Sequence, residues 1–168
     1  MTPWTAAVDA VRAGGPLRPR EIGRIATALH DTLVRDAVVV ACTASVGQAR
    51  AALSAPADLV SRRVGDVFGE LFAPETVLEP VHDGLDPAAQ VLREVVAHST
   101  DGEHAPALTL LALLAWWVGD GATANCWLDR ANEVDPGYRL ADLLGTAVSA
   151  GLPPGWVRRS GARAVGLR

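Results

Sequence analysis

Hydrophobic residues recur at steps of three and four along most of the chain, which is the spacing of one face of an α-helix. Helix starts are predicted at Pro19, at Asp31, after Ser54 and at Asp86–Pro87, where proline or a short polar residue precedes an apolar stripe. The period-two alternation of a half-buried strand is nearly absent. The pattern therefore predicts an all-α fold, a compact bundle of roughly six to eight helices.

The segment after Asp31 is compatible with two structures, a helix and a short strand. Its apolar positions follow a helical stripe, and Asp31 is a good N-cap. Residues 38–40 are three consecutive valines, and β-branched residues favour strands. We expect a helix here, with a short strand at 37–41 as the alternative.

The stretch from 105 to 134 has the most informative spacing. Counted from Ala105 as the first place of a 34-residue unit, it has apolar residues at the fourth and seventh places, small ones at the eighth and twentieth, and proline at the thirty-second. Small residues let two helices approach closely, and proline stops the second helix. This spacing predicts a tetratricopeptide-like hairpin of helices 105–118 and 122–134, with a generic tight hairpin as the alternative. The signature residues are Leu108, Leu111, Ala112, Ala124 and Pro136.

Two further stretches bear on domain organisation. Residues 74–85 contain two prolines and a glycine and are a candidate boundary inside a single all-α domain that spans 1–157. Residues 158–168 contain four arginines, no acid and no helical periodicity, so a basic flexible tail is expected there. Deletion of such a tail should leave thermal stability unchanged.

Composition narrows the class of protein. The chain has 168 residues, of which 49% are hydrophobic and 20% charged, as in a globular protein. Its longest apolar run, Ala105–Val118, is shorter than the ~20 residues that span a bilayer. We expect a cytoplasmic protein without a membrane partner, since no secretory signal opens the sequence. Cys42 and Cys126 lack CxxC spacing and are expected to be buried thiols.

Sequence motifs for chemistry are missing. The chain has 19 acidic and 15 basic residues, and its terminal arginines lack interleaved aromatics, so nucleic-acid binding is not expected. There is no glycine-rich phosphate loop and no HExxH motif. The four histidines, His30, His82, His98 and His104, lack the spacing that places two ligands on one helix face. We therefore expect no metal, no cofactor and no catalytic residue.

The run Ala105–Ala122, continued by Asp135–Tyr138 and Gly151–Pro154, resembles the carboxyl-terminal part of an actinobacterial family of domains of unknown function. Val34–Ala37 also resembles a stretch of that family. The close resemblance covers about residues 104 to 154, and a looser one reaches back to about 17. Longer members of the family carry an additional amino-terminal α/β portion. The resemblance implies a fold but no established activity or catalytic residue.

The candidate binding residues lie on the first helix of the hairpin and just beyond the second. In a tetratricopeptide unit that helix face lines a groove for partner peptides. Adjacent tryptophans on a helix point about 100° apart, so both cannot face one partner. We favour the alternative that upstream helices cover this face and the tryptophans are core. The candidate residues are Thr109, Leu113, Trp116, Trp117 and Tyr138.

The sequence thus favours a non-catalytic protein-interaction or scaffolding domain that binds a partner protein or forms a homodimer. The alternative is a small enzyme or ligand-binding domain whose histidine and acidic side chains converge only in three dimensions. A pocket that joins His98 or His104 to an acid with a strongly shifted pKa would favour that alternative.

Overall fold

The computed structural model describes residues 2–54, 57–80, 82–100 and 102–165. Within these residues the chain forms ten α-helices and no strand, which confirms the all-α prediction with more helices than expected. In chain order the helices are α1 (Thr2–Arg12), α2 (Pro19–Ala28), α3 (Thr32–Thr43), α4 (Val46–Leu53), α5 (Ala57–Phe72), α6 (His82–His98), α7 (Ala105–Trp117), α8 (Gly121–Val134), α9 (Arg139–Ser149) and α10 (Gly155–Val165).

Helix α3 resolves the ambiguity after Asp31 in favour of the helix. The Asp31 carboxylate accepts hydrogen bonds from the backbone amides of Leu33, at 2.8 Å, and Val34, at 3.3 Å, and so caps the first turn. Residues 37–40 are all buried, because α3 lies between the main core and a smaller cluster beneath α4 and α5. Burial on opposite faces and a strong cap outweigh the β-propensity of three valines.

Helix α7 is the centre of the main core. Every residue of it except Ala115 is buried, and it packs against α3, α6, α8 and α9. Its most extensive contact is with α8, to which residues 118–120 connect it, so the two form a tight hairpin. Ala112 and Ala124 are fully buried, as close approach of the helices requires. The likeness of this hairpin to a tetratricopeptide unit stays a prediction.

The remaining helices cover α7 from different sides. α1 and α2 pack on α6, and α6 packs on α7; Val91, Leu92 and Val95 of α6 are buried in the main core. α9 packs on α7 and α8, and its Ala141 and Leu144 are buried in the same core. α5 packs on α3, α4 and α10. Of the described helices, none combines the length and the apolar character that crossing a membrane requires.

Helix α6 begins at His82 rather than at Asp86–Pro87 as predicted, so Pro87 lies inside it. Proline removes one backbone donor, a loss that is tolerated best near the start of a helix. The additional turn buries Leu85 on the same face as Ala88 and Leu92, which favours the earlier start. Residues 73–80 form no helix, whereas residues 82–85, at the end of the candidate boundary segment 74–85, belong to α6.

The predicted flexible tail at 158–168 is wrong for residues 158–165, which belong to α10. Polar contacts attach the helix at three of its residues, and Trp156 also packs against the main core. The Trp156 indole nitrogen donates to the Trp117 carbonyl oxygen at 2.8 Å, Arg158 donates to the Phe72 carbonyl oxygen, and Arg159 pairs with Glu79. Hydrophobic periodicity does not detect such contacts.

The two cysteines differ in environment. Cys42 packs partly against the core, whereas Cys126 is exposed on α8. The expectation that Cys126 is a buried thiol is therefore wrong. It lies on the α8 face opposite the buried Ala124, Leu128 and Ala131. Both thiols are free.

Candidate functional site

The predicted binding residues of α7 lie in the core. Thr109, Leu113, Trp116 and Trp117 are all buried, and Trp117 has no measurable exposure. The Trp116 ring lies against Phe72, with ring centroids 4.6 Å apart, and its indole nitrogen donates to the Leu152 carbonyl oxygen at 2.8 Å. The Trp117 indole nitrogen has no hydrogen-bond partner among the described residues. Both tryptophans are therefore core residues, in contact with Phe72 upstream and with Leu152 and Trp156 downstream.

Phe72 and Trp116 nevertheless lie at the edge of an open cleft. α5 and α9 flank α7 and leave between them a volume of about 280 Å³, which we call the apolar cleft. Every lining residue is hydrophobic, and Leu143 at the rim is 59% exposed. Of the predicted binding residues, Leu113 and Trp116 line it, whereas Thr109, Trp117 and Tyr138 do not. The lining residues are Phe68, Leu71, Phe72, Leu113, Trp116, Leu140, Leu143 and Leu144.

Tyr138 has a different environment from the other candidates. Its hydroxyl oxygen accepts a hydrogen bond from Nη1 of Arg35 at 2.9 Å. The same guanidinium donates to Oδ1 of Asp36 from Nε, at 2.8 Å, and from Nη2, at 2.6 Å. Burial lowers the pKa of Arg35, but the hydrogen bonds with Tyr138 and Asp36 outweigh it, so the pKa is raised. Tyr138 therefore attaches the turn before α9 to α3.

A second, polar groove gathers residues that are far apart in sequence. It has a volume of about 330 Å³ and lies between α2, the end of α6 and the loop that follows α6. His30 Nε2 lies 3.1 Å from the Glu103 carbonyl oxygen, and the Thr100 hydroxyl donates to Glu103 Oε2 at 2.6 Å. We call this the polar groove. Its lining residues are Ile22, Gly23, Ala26, Thr27, His30, His98, Ser99, Thr100 and Glu103.

The polar groove corresponds in part to the histidine and acid pocket of the alternative hypothesis. It joins His98 to Glu103, but His104 is not among its lining residues. His30 was not predicted, because no sequence signal links the end of α2 to a loop after α6. The side chain of His82 lies outside the described residues. Within the described part of the chain, no group of three or more histidine, cysteine or acidic side chains has a geometry that could hold a metal ion.

The sequence from residue 1 to 155 matches the model of a protein family, described as a domain of unknown function, DUF4192. The chain belongs to the DUF4192 family. The match begins before the resemblance that we found from about residue 17, and it ends at the first residue of α10. No curated protein and no solved structure matches the chain. Arg35 and Tyr138 are joined by a hydrogen bond, and they come from two of the sequence stretches that resemble this family.

Proposed function

We propose that this DUF4192 domain is a non-catalytic protein-interaction or scaffolding domain, and that its apolar cleft binds hydrophobic side chains of a partner. The observation that carries the proposal is an open cleft with a wholly hydrophobic lining. Fold-level analogy adds a weaker argument, because tetratricopeptide-like hairpins present grooves to helical or extended segments.

The chemistry of the cleft favours apolar side chains. The only polar side-chain atom among its lining residues is the Trp116 indole nitrogen, which is already committed to the Leu152 carbonyl oxygen. A polar occupant would lose hydrogen bonds to water and gain none in return. An apolar occupant gains by burial, at about 25 cal/mol per Å² removed from water. The volume of about 280 Å³ accommodates side chains presented by a helix rather than a whole helix.

A second copy of the chain satisfies the same requirement. Leu143 is a large hydrophobic residue at the rim of the cleft, and its exposure leaves it free to enter an identical cleft. In a twofold dimer the same patch serves both subunits, so one surface would supply both the inserted side chain and its receptor. Self-association and binding to another protein are therefore two forms of one proposal.

The test compares Leu143→Glu with Leu33→Glu. Leu33 on α3 is 38% exposed and does not line the cleft, so it controls for loss of an exposed leucine. Sedimentation velocity over a range of concentrations should detect a dimer that L143E abolishes and L33E retains. If the wild type is a monomer, a photo-reactive amino acid at position 143 should crosslink one partner in the native host, and the same group at position 33 should not.

The proposal would be rejected by a monomeric wild type that gives the same crosslinks from positions 143 and 33. It would also be rejected if L143E and L33E shifted the association equilibrium equally. Circular dichroism of both variants should match the wild type, since each substitution lies at an exposed position.

A further inference from the structure

The side chains that line the polar groove point to one class of ligand. We propose that the groove binds a small organic cation, a primary ammonium or guanidinium group on a short apolar stem. The site is separate from the apolar cleft and independent of the proposed protein-interaction role, because the two share no lining residue.

The two imidazoles present acceptors rather than donors. His30 Nε2 lies 3.1 Å from the Glu103 carbonyl oxygen, and His98 Nδ1 lies 2.9 Å from the Glu94 carbonyl oxygen. A carbonyl oxygen only accepts, so each of these ring nitrogens carries a proton and donates it to the carbonyl oxygen. When the ring is neutral, the opposite nitrogens, Nδ1 of His30 and Nε2 of His98, have lone pairs available for a donor.

Each hydroxyl group that lines the groove donates its one proton to an acceptor within the protein. Thr27 donates to the Gly23 carbonyl oxygen at 3.0 Å, Ser99 to the Val95 carbonyl oxygen at 2.7 Å, and Thr100 to the Glu103 carboxylate at 2.6 Å. Each hydroxyl oxygen therefore offers only lone pairs to a ligand. An anion or a carbonyl group would find no side-chain donor among the residues that line this groove.

Glu103 supplies the charge. One carboxylate oxygen, Oε2, accepts from Thr100, and no described residue donates to Oε1. No arginine is among the lining residues, so no cation of the protein neutralises the groove from inside. Beneath the polar rim lie Ile22, which is buried, and the half-buried Ala26. A cation on a short hydrocarbon stem satisfies both the acceptors and this apolar floor.

The test is a titration of the wild-type chain with n-butylammonium at low ionic strength and pH 8, where an ordinary imidazole is neutral. Butyrate is the matched anion, and Nα-acetyl-lysine methylamide tests whether a protein-borne side chain is the source of the cation. The readout is the set of imidazole proton resonances, assigned with His30→Ala and His98→Ala. Butylammonium should shift the His30 and His98 resonances in a saturable manner, and butyrate should not.

Glu103→Gln should weaken butylammonium binding by about threefold, the size expected for an exposed ion pair. Glutamine keeps the acceptor for Thr100 and removes only the charge. Glu70→Gln is the matched control, because Glu70 is an exposed carboxylate on α5 outside this groove. The E70Q variant should bind butylammonium as the wild type does. If the lysine derivative shifts the imidazole resonances in a saturable manner and butylammonium does not, the source of the cation is a polypeptide. Equal shifts with butyrate, or equal binding by E103Q and E70Q, would overturn the proposal.

Discussion

Arg35 on α3 donates a hydrogen bond to the hydroxyl oxygen of Tyr138, the residue just before α9, at 2.9 Å. The guanidinium carbon also lies 5.7 Å from the centroid of the tyrosine ring. Asp36 neutralises the guanidinium, and both charged side chains are largely shielded from solvent. This contact joins the amino-terminal part of the helical bundle directly to the segment that follows the α7–α8 hairpin.

We expect Arg35→Ala to lower the free energy of unfolding more than Tyr138→Phe. The tyrosine substitution removes one hydrogen bond and should cost about 1 kcal/mol. The arginine substitution also leaves the Asp36 carboxylate partly buried without its cation and should cost about 2–3 kcal/mol. Urea unfolding of both single variants and the double variant measures this. A coupling energy near zero would mean that the hydrogen bond contributes no stability.

The cysteines should differ in reactivity as they differ in environment. Burial raises the pKa of the Cys42 thiol to about 12, although residue 42 keeps some solvent exposure. The thiolate is the reactive form, so at pH 8 only a very small fraction of Cys42 is reactive. A disulfide reagent should therefore modify native Cys126→Ser far more slowly than native Cys42→Ser. Labelling of C126S should rise after unfolding in urea. Equal rates for the two native variants would contradict the assigned environment of Cys42.

Sequence alone could predict the features that depend on residues close together in the chain. Asp31 caps the first turn of α3, and the fully buried Ala112 and Ala124 lie on two helices that are joined by one short connection. The contacts Arg35–Tyr138 and His30–Glu103 bring together residues from distant elements, and no periodicity encodes them. The family resemblance could be found because the hairpin region carries a long, unusual apolar run.

Helix α10 was not predicted because its contacts also involve residues from distant elements. Its anchors are an indole, two guanidinium groups and a glycine, and each acquires its role only when α7, the end of α5 and residues 73–79 lie beside it. The apolar cleft is similar, because the pattern of α9 marks Leu140, Leu143 and Leu144 as one face and does not show that Leu143 stays exposed. Packing between elements, rather than local pattern, determines both.

Removing residues 158–168 should destabilise the chain, contrary to the expectation from sequence. Arg158 donates to the Phe72 carbonyl oxygen at the end of α5, where helix carbonyls lack partners and the helix dipole favours a cation. Loss of this contact and of the Arg159–Glu79 pair should cost about 2 kcal/mol and lower the melting temperature by several degrees. Differential scanning calorimetry measures this effect.

Two single substitutions separate the arginine contact from the rest of α10. Arg158→Ala should reproduce most of the loss that the deletion causes. Arg20→Ala removes an exposed arginine on α2 and should change the unfolding free energy by less than about 0.5 kcal/mol. A deletion variant that melts with the wild type would show that α10 does not contribute to stability as a docked helix.

Two glycines should respond in opposite directions to replacement by alanine. Gly69 is exposed in the interior of α5, and a methyl group there would meet nothing within 4 Å. Alanine is the better helix former, so Gly69→Ala should raise the free energy of unfolding by about 0.5–1 kcal/mol.

At Gly155, the first residue of α10, a methyl group would collide with the Ala73 carbonyl group and touch the Thr76 methyl group. Backbone atoms cannot move aside as a flexible side chain can, so Gly155→Ala should lower the free energy by about 2 kcal/mol. Urea unfolding of the two variants under one set of conditions gives the sign of each change in free energy. Stabilisation by G155A would show that α10 does not approach Ala73 and Thr76 as closely as the structure places it.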